Sequence, residues 1–225
     1  MITSPGTSLT QMERGLVNYL HFGDLPEGLS FSGSIAVDTE TTGLHPSRDR
    51  LCVVQLSAGD GDAHLVQFPP PEAGQSPDYS APRLRSLLAN PSIEKIFHFG
   101  RFDLSVLMRD LAVDASPVFC TKIASKLVRT YTDRHGLRDI CSELLNVSIS
   151  KEQQSSDWGR AVLTEAQIGY AASDVLHLHA LRDKLAEMLE REGRVELAQA
   201  CFAYLPTRAK LDLFGWDGVD IFAHS

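Results

Sequence analysis

Two carboxylates separated by a single residue follow a short apolar run in the first quarter of the chain. Residues 35–37 are apolar and β-branched at both ends, which predicts a buried strand, and Asp38 and Glu40 come directly after them. Because side chains alternate along a strand, both acids leave it on the same face. Their repulsion is tolerable where a hard divalent cation lies between them. A turn with two solvated acids would have the same sequence, so this pair alone leaves both interpretations open.

A third acid begins a predicted helix. The apolar run 96–99 predicts a second strand that breaks at Gly100, and apolar residues then follow at helical spacing. Asp103 therefore lies in the first turn of that helix. An acid in this position also complements the helix dipole, which is a sufficient structural reason for its presence.

The fourth acid lies late in the chain. Thr164 and Gln167 form a capping-box pattern, and the apolar stripe that follows predicts one long helix over 165–191. Tyr170 and Asp174 are four residues apart, so they share a face of that helix. Considered alone, they are more typical of an ordinary hydrogen-bonded pair at the margin of a core.

The three sites together are far more specific than any one of them. Asp-x-Glu after a strand, Asp at a helix start and Tyr-x-x-x-Asp on a later helix resemble the DEDD superfamily of 3′–5′ exonucleases, in the tyrosine-bearing branch that includes ribonuclease D. Lys151, Gln154 and the run Ser156-Asp157-Trp158 also resemble ribonuclease D sequence. This resemblance covers roughly residues 34–189.

A narrower resemblance runs nearly from end to end, to the NrnC-type nanoRNases of alphaproteobacteria. It is carried by the segments 49–57, 97–103, 119–126, 131–137 and 211–225. Such enzymes finish RNA decay by cutting the shortest fragments, dinucleotides above all, and they assemble as octamers. The resemblance thus implies a homo-oligomer that hydrolyses short RNA, and the dinucleotide pGpG is an expected substrate.

The resemblance also implies a fold and a site. The fold is α/β and ribonuclease H-like, with a mixed sheet flanked by helices. Two divalent cations, Mg²⁺ or Mn²⁺, would be held by four carboxylates, with Asp38 bridging both ions, Glu40 and Asp174 holding one and Asp103 helping to place the other. Tyr170 would orient the attacking water. A hard-oxygen ligand set of this kind suits these ions better than zinc.

The elements that position these residues can be predicted from apolar patterning. A lead-in helix and turn precede Gly33, with Leu16, Leu20 and Phe22 as docking residues. Strands are predicted at 35–39, 51–57, 63–68, 96–99 and near 118–120, and a short helix at 82–88. From Thr121 onward the chain is predicted to be mainly helical. The expected division is a lead-in over 1–33, an exonuclease domain over 34–192, and a C-terminal helix with an apolar tail over 193–225.

Five further residues are candidates for substrate contact. Leu44 is expected either to wedge against bases or to pack in the core, and Gln55 either to touch the nucleotide or to satisfy its own buried amide. His98, Phe99 and Arg101 flank Asp103 and could supply a donor, a stacking face and a phosphate partner. Alternation along the strand predicts that at most one of His98 and Phe99 faces the site. Separately, Lys122, Lys126 and Arg129 form a basic stripe that is more typical of a solvated helix face than of phosphate binding.

Composition restricts the class of protein. The formal net charge of −8 argues against a general nucleic-acid coat protein and favours a short substrate. No apolar stretch approaches a membrane span, the first residues have no signal pattern, and four widely spaced cysteines are typical of free thiols in a reducing cytoplasm. A cytoplasmic protein with no membrane partner is therefore expected.

The tail 211–225 carries several large apolar side chains and neither Lys nor Arg, so we expect it to dock on another surface. That surface is either its own domain or a subunit interface, and the octamer that the resemblance implies favours the interface. The sequence is also compatible with three other functions. They are ribonuclease D-like trimming of longer or structured RNA, a 3′–5′ DNA exonuclease, and a non-catalytic binding module descended from an exonuclease.

Overall fold

A six-stranded mixed sheet forms the centre of the computed structural model, which describes residues 17–224. Its strands are β1 (Asn18–Phe22), β2 (Ser34–Thr41), β3 (Leu51–Ser57), β4 (Ala63–Gln67), β5 (Glu94–Phe97) and β6 (Val118–Cys120). Their spatial order is β1-β4-β3-β2-β5-β6. The β2–β3 and β3–β4 pairs are antiparallel, whereas β1–β4, β2–β5 and β5–β6 are parallel. The predicted α/β sheet with mixed pairing is confirmed.

Strand β2 is central and carries the first two acids. Antiparallel pairing with β3 places Asp38 opposite Gln55 and Glu40 opposite Val53. The register shifts between Glu40 and Thr41, where a bulge ends the regular ladder. The two acids therefore lie at the end of a strand that is held on both sides.

Seven α-helices accompany the sheet in the described residues. They are α1 (Pro82–Ala89), α2 (Arg101–Leu111), α3 (Thr121–Val128), α4 (Leu137–Leu145), α5 (Glu165–Leu176), α6 (Leu178–Arg191) and α7 (Val195–Leu211). Helix α5 packs across β1 to β4, and α2 packs against β2 and α7. The predicted capping box opens α5, since Thr164 and Gln167 bond each other's backbone and side chains. Two helices that carry site residues are thus fixed on the sheet.

The predicted lead-in helix is wrong where the structure describes it, because residues 18–22 form β1. This strand pairs in parallel with β4, more than forty residues further along the chain. Leu20 packs against the core, whereas Phe22 is 64% exposed at the sheet edge. Leu16 lies outside the described residues. An edge strand gains its hydrogen bonds from a distant partner, which local patterning does not reveal.

Two other boundaries differ from prediction. The helix predicted over 165–191 breaks at His177, whose backbone N–H bonds to Val175, so α5 and α6 are separate helices that share one apolar stripe. The strand predicted at 96–99 ends at Phe97, and Phe99 adopts a left-handed backbone conformation with φ 68°. The early end of β5 alters which side chains reach the site, because His98 and Phe99 lie beyond the strand.

The C-terminal helix is part of the common core. Helix α7 buries Ala198, Phe202, Leu205 and Ala209, and Phe119 of β6 packs against Phe202 at a centroid distance of 4.7 Å. No helix among residues 17–224 is both long and apolar enough to cross a membrane.

Candidate active site

A cavity of about 740 Å³ opens at the end of β2 where the acids lie. Asp38, Glu40, Asp174 and Tyr170 line it together with segments from β2, α3, α4 and the loop before α5. The three carboxylates approach closely enough to share an ion, because one oxygen of each lies within 4.8 Å of the others. The structure thus brings together three acids that are separated by up to 136 positions in the sequence.

Asp103 lies behind this group. It is 4% exposed, and its Oδ1 accepts a hydrogen bond of 2.6 Å from the Thr39 hydroxyl. Thr39 stands between Asp38 and Glu40 on β2, so its hydroxyl fixes the carboxylate of α2 next to the strand that carries these two acids. Sequence reasoning missed Thr39, although its place between the two acids of the Asp-x-Glu pattern was a usable signal.

The electrostatics of the four carboxylates fit a cation site. Burial raises the pKa of Asp38 and of Glu40 well above the ordinary range, and the neighbouring carboxylates raise both further. Burial also raises the pKa of Asp103 and of Asp174 to about 7. The ionised forms are therefore unfavourable together, and divalent cations would relieve that cost. Asp38, Glu40 and Asp174 would hold such ions, with Asp103 beside them, and the all-oxygen ligand set suits Mg²⁺ or Mn²⁺.

Tyr170 lies one helical turn from Asp174 and hydrogen-bonds to it. Burial, followed by the negative charges of Asp174, Glu40 and Asp38, raises the pKa of the Tyr170 phenol far above its usual range. The hydroxyl therefore keeps its proton near neutral pH and acts as a hydrogen-bonding group that can orient a water molecule.

The loop before α5 forms one wall and is held by three side chains. Gln167 of α5 donates to Ser156 Oγ and to the Asp157 carbonyl at 3.0 Å each. Gln67 of β4 donates to the carbonyls of residues 160 and 161, and Arg50 to the carbonyl of residue 159. Trp158, 3% exposed, packs on the Tyr170 ring at a centroid distance of 6.0 Å. The Ser-Asp-Trp run thus supports Tyr170.

A larger cavity of about 960 Å³ beside α7 has no comparable chemistry. Of its three acids, Glu94 pairs with Arg182 at 3.1 Å, Asp114 pairs with Lys210 at 3.2 Å, and Glu190 is exposed. The unpaired, mutually repelling acids of the β2 cavity distinguish it as the candidate active site.

The predicted substrate residues fall in different places. Leu44 is 87% exposed and lines the cavity, which contradicts the alternative that it packs in the core. His98 and Phe99 both line the cavity, so the prediction that at most one of them faces the site is wrong. It assumed strand alternation at positions where the strand has already ended. Phe99 is 45% exposed and lies under Lys122, whose Nζ is 4.3 Å from the ring centroid.

Gln55 and Arg101 do not line the cavity. Gln55 is fully buried, and its Nε2 faces Asp38 Oδ2 at 3.5 Å. Arg101 pairs with Asp212 through two bonds of 2.5 and 2.8 Å and donates to the carbonyl of Asp217. The guanidinium therefore anchors the C-terminal segment, and a phosphate contact would require it to leave a buried partner.

The predicted basic stripe is divided between different environments. Lys122 lines the cavity, but Arg129 is fully buried and pairs with Glu143. Arg138 and Lys151 join Lys122 in the cavity walls. These three cations come from α3, α4 and a loop, so no spacing in the sequence grouped them.

Comparisons with known proteins agree with this geometry. A family model described as 3′–5′ exonuclease matches residues 22–190. A ribonuclease D of Granulibacter bethesdensis is 34% identical over 161 residues, which are 72% of this chain and 39% of that protein. Structures of Brucella melitensis NrnC with bound Mg²⁺ and bound to pGG are each 57% identical. Their TM-scores are 0.84 and 0.86, and the alignments cover 93% and 94% of this chain and 99% and 100% of theirs.

The sheet, the acid cluster and the family match define the class of protein. The chain belongs to the 3′–5′ exonuclease family, and the predicted ribonuclease H-like DEDD exonuclease fold is confirmed. Within that family the chain is NrnC-like, as the full-length match to the Brucella structures shows. It spans only about two fifths of the length of the curated ribonuclease D relatives that it matches.

Proposed function

We propose that this protein is a metal-dependent 3′–5′ exoribonuclease that hydrolyses very short RNA, dinucleotides including pGpG above all, to mononucleotides. The observation that carries the proposal is the acid cluster with Tyr170 at the floor of a cavity of small-ligand size. Cavities of about 300–1,000 Å³ are typical of small-molecule sites, and 740 Å³ lies within this range.

The cavity walls offer partners for each part of a short nucleotide. Leu44 and Phe99 present exposed apolar surfaces on which bases can stack or wedge. Lys122, Arg138 and Lys151 supply charges for phosphate oxygens inside a protein whose overall net charge is −8. The cavity thus offers three cations beside the acid cluster, whereas the negative charge of the chain as a whole disfavours long RNA.

The chemistry follows from the four carboxylates and Tyr170. Two divalent cations, when bound, stabilise charge during phosphodiester cleavage and make water nucleophilic near neutral pH. Asp38, Glu40 and Asp174 would hold these ions, with Asp103 beside them. Tyr170 keeps its hydroxyl proton, hydrogen-bonds to Asp174 and orients the attacking water. The structures of Brucella melitensis NrnC with bound Mg²⁺ and bound to pGG support this assignment.

Substrate length is tested by a time course with Mn²⁺ on 5′-labelled RNAs of about two, seven and twenty nucleotides, in a moderate salt concentration held constant. We expect rapid loss of the dinucleotide and slow loss of the longest RNA. Stepwise shortening of the long RNA that leaves the dinucleotide intact would instead indicate ribonuclease D-like trimming. The same series in DNA separates an RNA-specific enzyme from a DNA exonuclease.

We also propose that the protein is a cytoplasmic homo-oligomer, by resemblance an octamer. Four free cysteines suit a reducing compartment. The tail supports assembly, because Phe214, Trp216, Val219, Ile221 and Phe222 are all exposed in the single chain. Asp212, held by Arg101 and Arg208, fixes where this apolar segment begins.

Assembly is tested by sedimentation velocity of the full chain. The expected species is an octamer, as the resemblance implies, in which partners would bury the exposed apolar side chains of the tail. Replacing Trp216 and Phe222 with serine should shift the distribution toward smaller species. A wild-type protein that sediments as a monomer would contradict the proposal.

A further inference from the structure

Gln55 is a buried carboxamide for which the proposed reaction has so far given no role. It lies in β3, whose seven residues are all buried, and it is 0% exposed. Burying an amide is unfavourable unless its donors and acceptor find partners. An apolar side chain of similar volume would fill this position without that cost.

The surroundings of Gln55 point to a single functional neighbour. It stands opposite Asp38 in the antiparallel β2–β3 ladder. Its Nε2 faces Asp38 Oδ2 at 3.5 Å, the outer limit of a hydrogen bond, and its Oε1 has no hydrogen-bond partner among the described residues. The amide donor therefore faces the carboxylate, and the acceptor is left unsatisfied.

The orientation of the Asp38 carboxylate matters for the proposed reaction. It is one of the three carboxylates that would hold divalent cations, so its oxygens must face a defined direction. Near its carboxylate the structure offers the backbone N–H of Thr39 and the Gln55 amide. Outer partners of metal ligands fix the orientation of the ligand, and their loss typically weakens metal binding by about 10–100-fold.

We infer that Gln55 is a positioning residue that orients the Asp38 carboxylate for divalent-cation binding. This inference rests on the proposed function, because it assumes that the acid cluster binds metal. It replaces the expectation that Gln55 touches the nucleotide. It also explains why a buried amide with an unsatisfied carbonyl oxygen is found at this position. The amide NH₂ group holds the Asp38 carboxylate, and the carbonyl oxygen has no role.

The test is calorimetric titration of the metal-free full chain with Mn²⁺ alone, which reports on the site without any turnover. Gln55→Leu is expected to weaken Mn²⁺ binding by about 10-fold or more. Its melting temperature in chelator should be unchanged or higher, because an unsatisfied buried amide is removed. Ser57→Ala is the matched control. This variant removes a buried hydroxyl from the same strand. That hydroxyl bonds the backbone of Asp62 and Gly59 and does not contact the acid cluster, so Mn²⁺ affinity should be unchanged.

The outcomes separate the inference from the proposed function. If wild type binds Mn²⁺ and Gln55→Leu binds it equally well, Gln55 only packs and the inference is overturned. If neither protein binds Mn²⁺, the metal site itself is absent and both ideas are wrong. If both behave as expected but neither cleaves short RNA, only the proposed function is wrong. Should Gln55→Leu not fold, Gln55→Met provides the same comparison with an unbranched side chain of similar length.

Discussion

Replacing Asp38 with asparagine is expected to lower hydrolysis of a dinucleotide by about 10³-fold or more. Metal-assisted charge stabilisation is worth several kcal/mol, and each 1.36 kcal/mol corresponds to about tenfold in rate. Steady-state turnover in Mn²⁺ measures the loss. Asp38 interacts with every other acid of the cluster, because the charges of Asp103, Asp174 and Glu40 each raise its pKa.

The same substitution should stabilise the protein in the absence of metal. The amide carries no charge, so it removes one member of a cluster whose ionised forms repel each other. Melting curves in chelator should therefore show a higher melting temperature for Asp38→Asn than for wild type. Asp183→Asn is the control, because Asp183 is an exposed acid on α6 that pairs with Arg182. Equal losses of activity and stability in Asp38→Asn would mean that Asp38 is structural.

Replacing Tyr170 with phenylalanine is expected to lower turnover by about 10²-fold, the lower range for a group that orients or shares a proton in the transition state. The ring and its packing against Trp158 are kept, and only the hydroxyl that bonds Asp174 is lost. Because Tyr170 is proposed to act on the water and not to hold the ions, Mn²⁺ affinity should stay within a few-fold of wild type.

Tyr131→Phe is the matched control for that variant. Its hydroxyl bonds Glu143 at 2.5 Å on an exposed part of the surface, away from the cavity. It should retain full turnover. A Tyr170→Phe protein with normal turnover would exclude the hydroxyl from the mechanism, and one that had lost Mn²⁺ binding would place Tyr170 among the metal-binding residues instead.

Local patterning predicted the elements that carry the acids. The apolar run before Asp38, the break at Gly100 before α2 and the capping box of α5 each depend on residues a few positions apart. Their structures match the predictions because the same neighbours determine the backbone there. The convergence of the acids could be predicted only from the family resemblance. The spacing of residues along the chain does not indicate how the helices and strands are arranged in space.

Features that depend on distant partners were not predictable from the pattern. Strand β1 owes its existence to β4, and Arg101 is held by Asp212, which lies 111 positions away. The break at His177 leaves the apolar stripe continuous, so periodicity gave no sign of it. The sequence shows that Gln55 is a polar residue in an apolar strand. Only the register between β2 and β3 shows that it lies opposite Asp38.

We propose that the protein hydrolyses a dinucleotide only when divalent cations are bound at the acid cluster. The most direct measurement is release of mononucleotide from pGpG by protein stripped with chelator, before and after Mn²⁺ is added back, with Asp174→Asn beside it. We expect no release without metal, full recovery when Mn²⁺ is added to wild type, and almost no recovery in Asp174→Asn. Hydrolysis that persists in chelator, or equal recovery in Asp174→Asn, would contradict it.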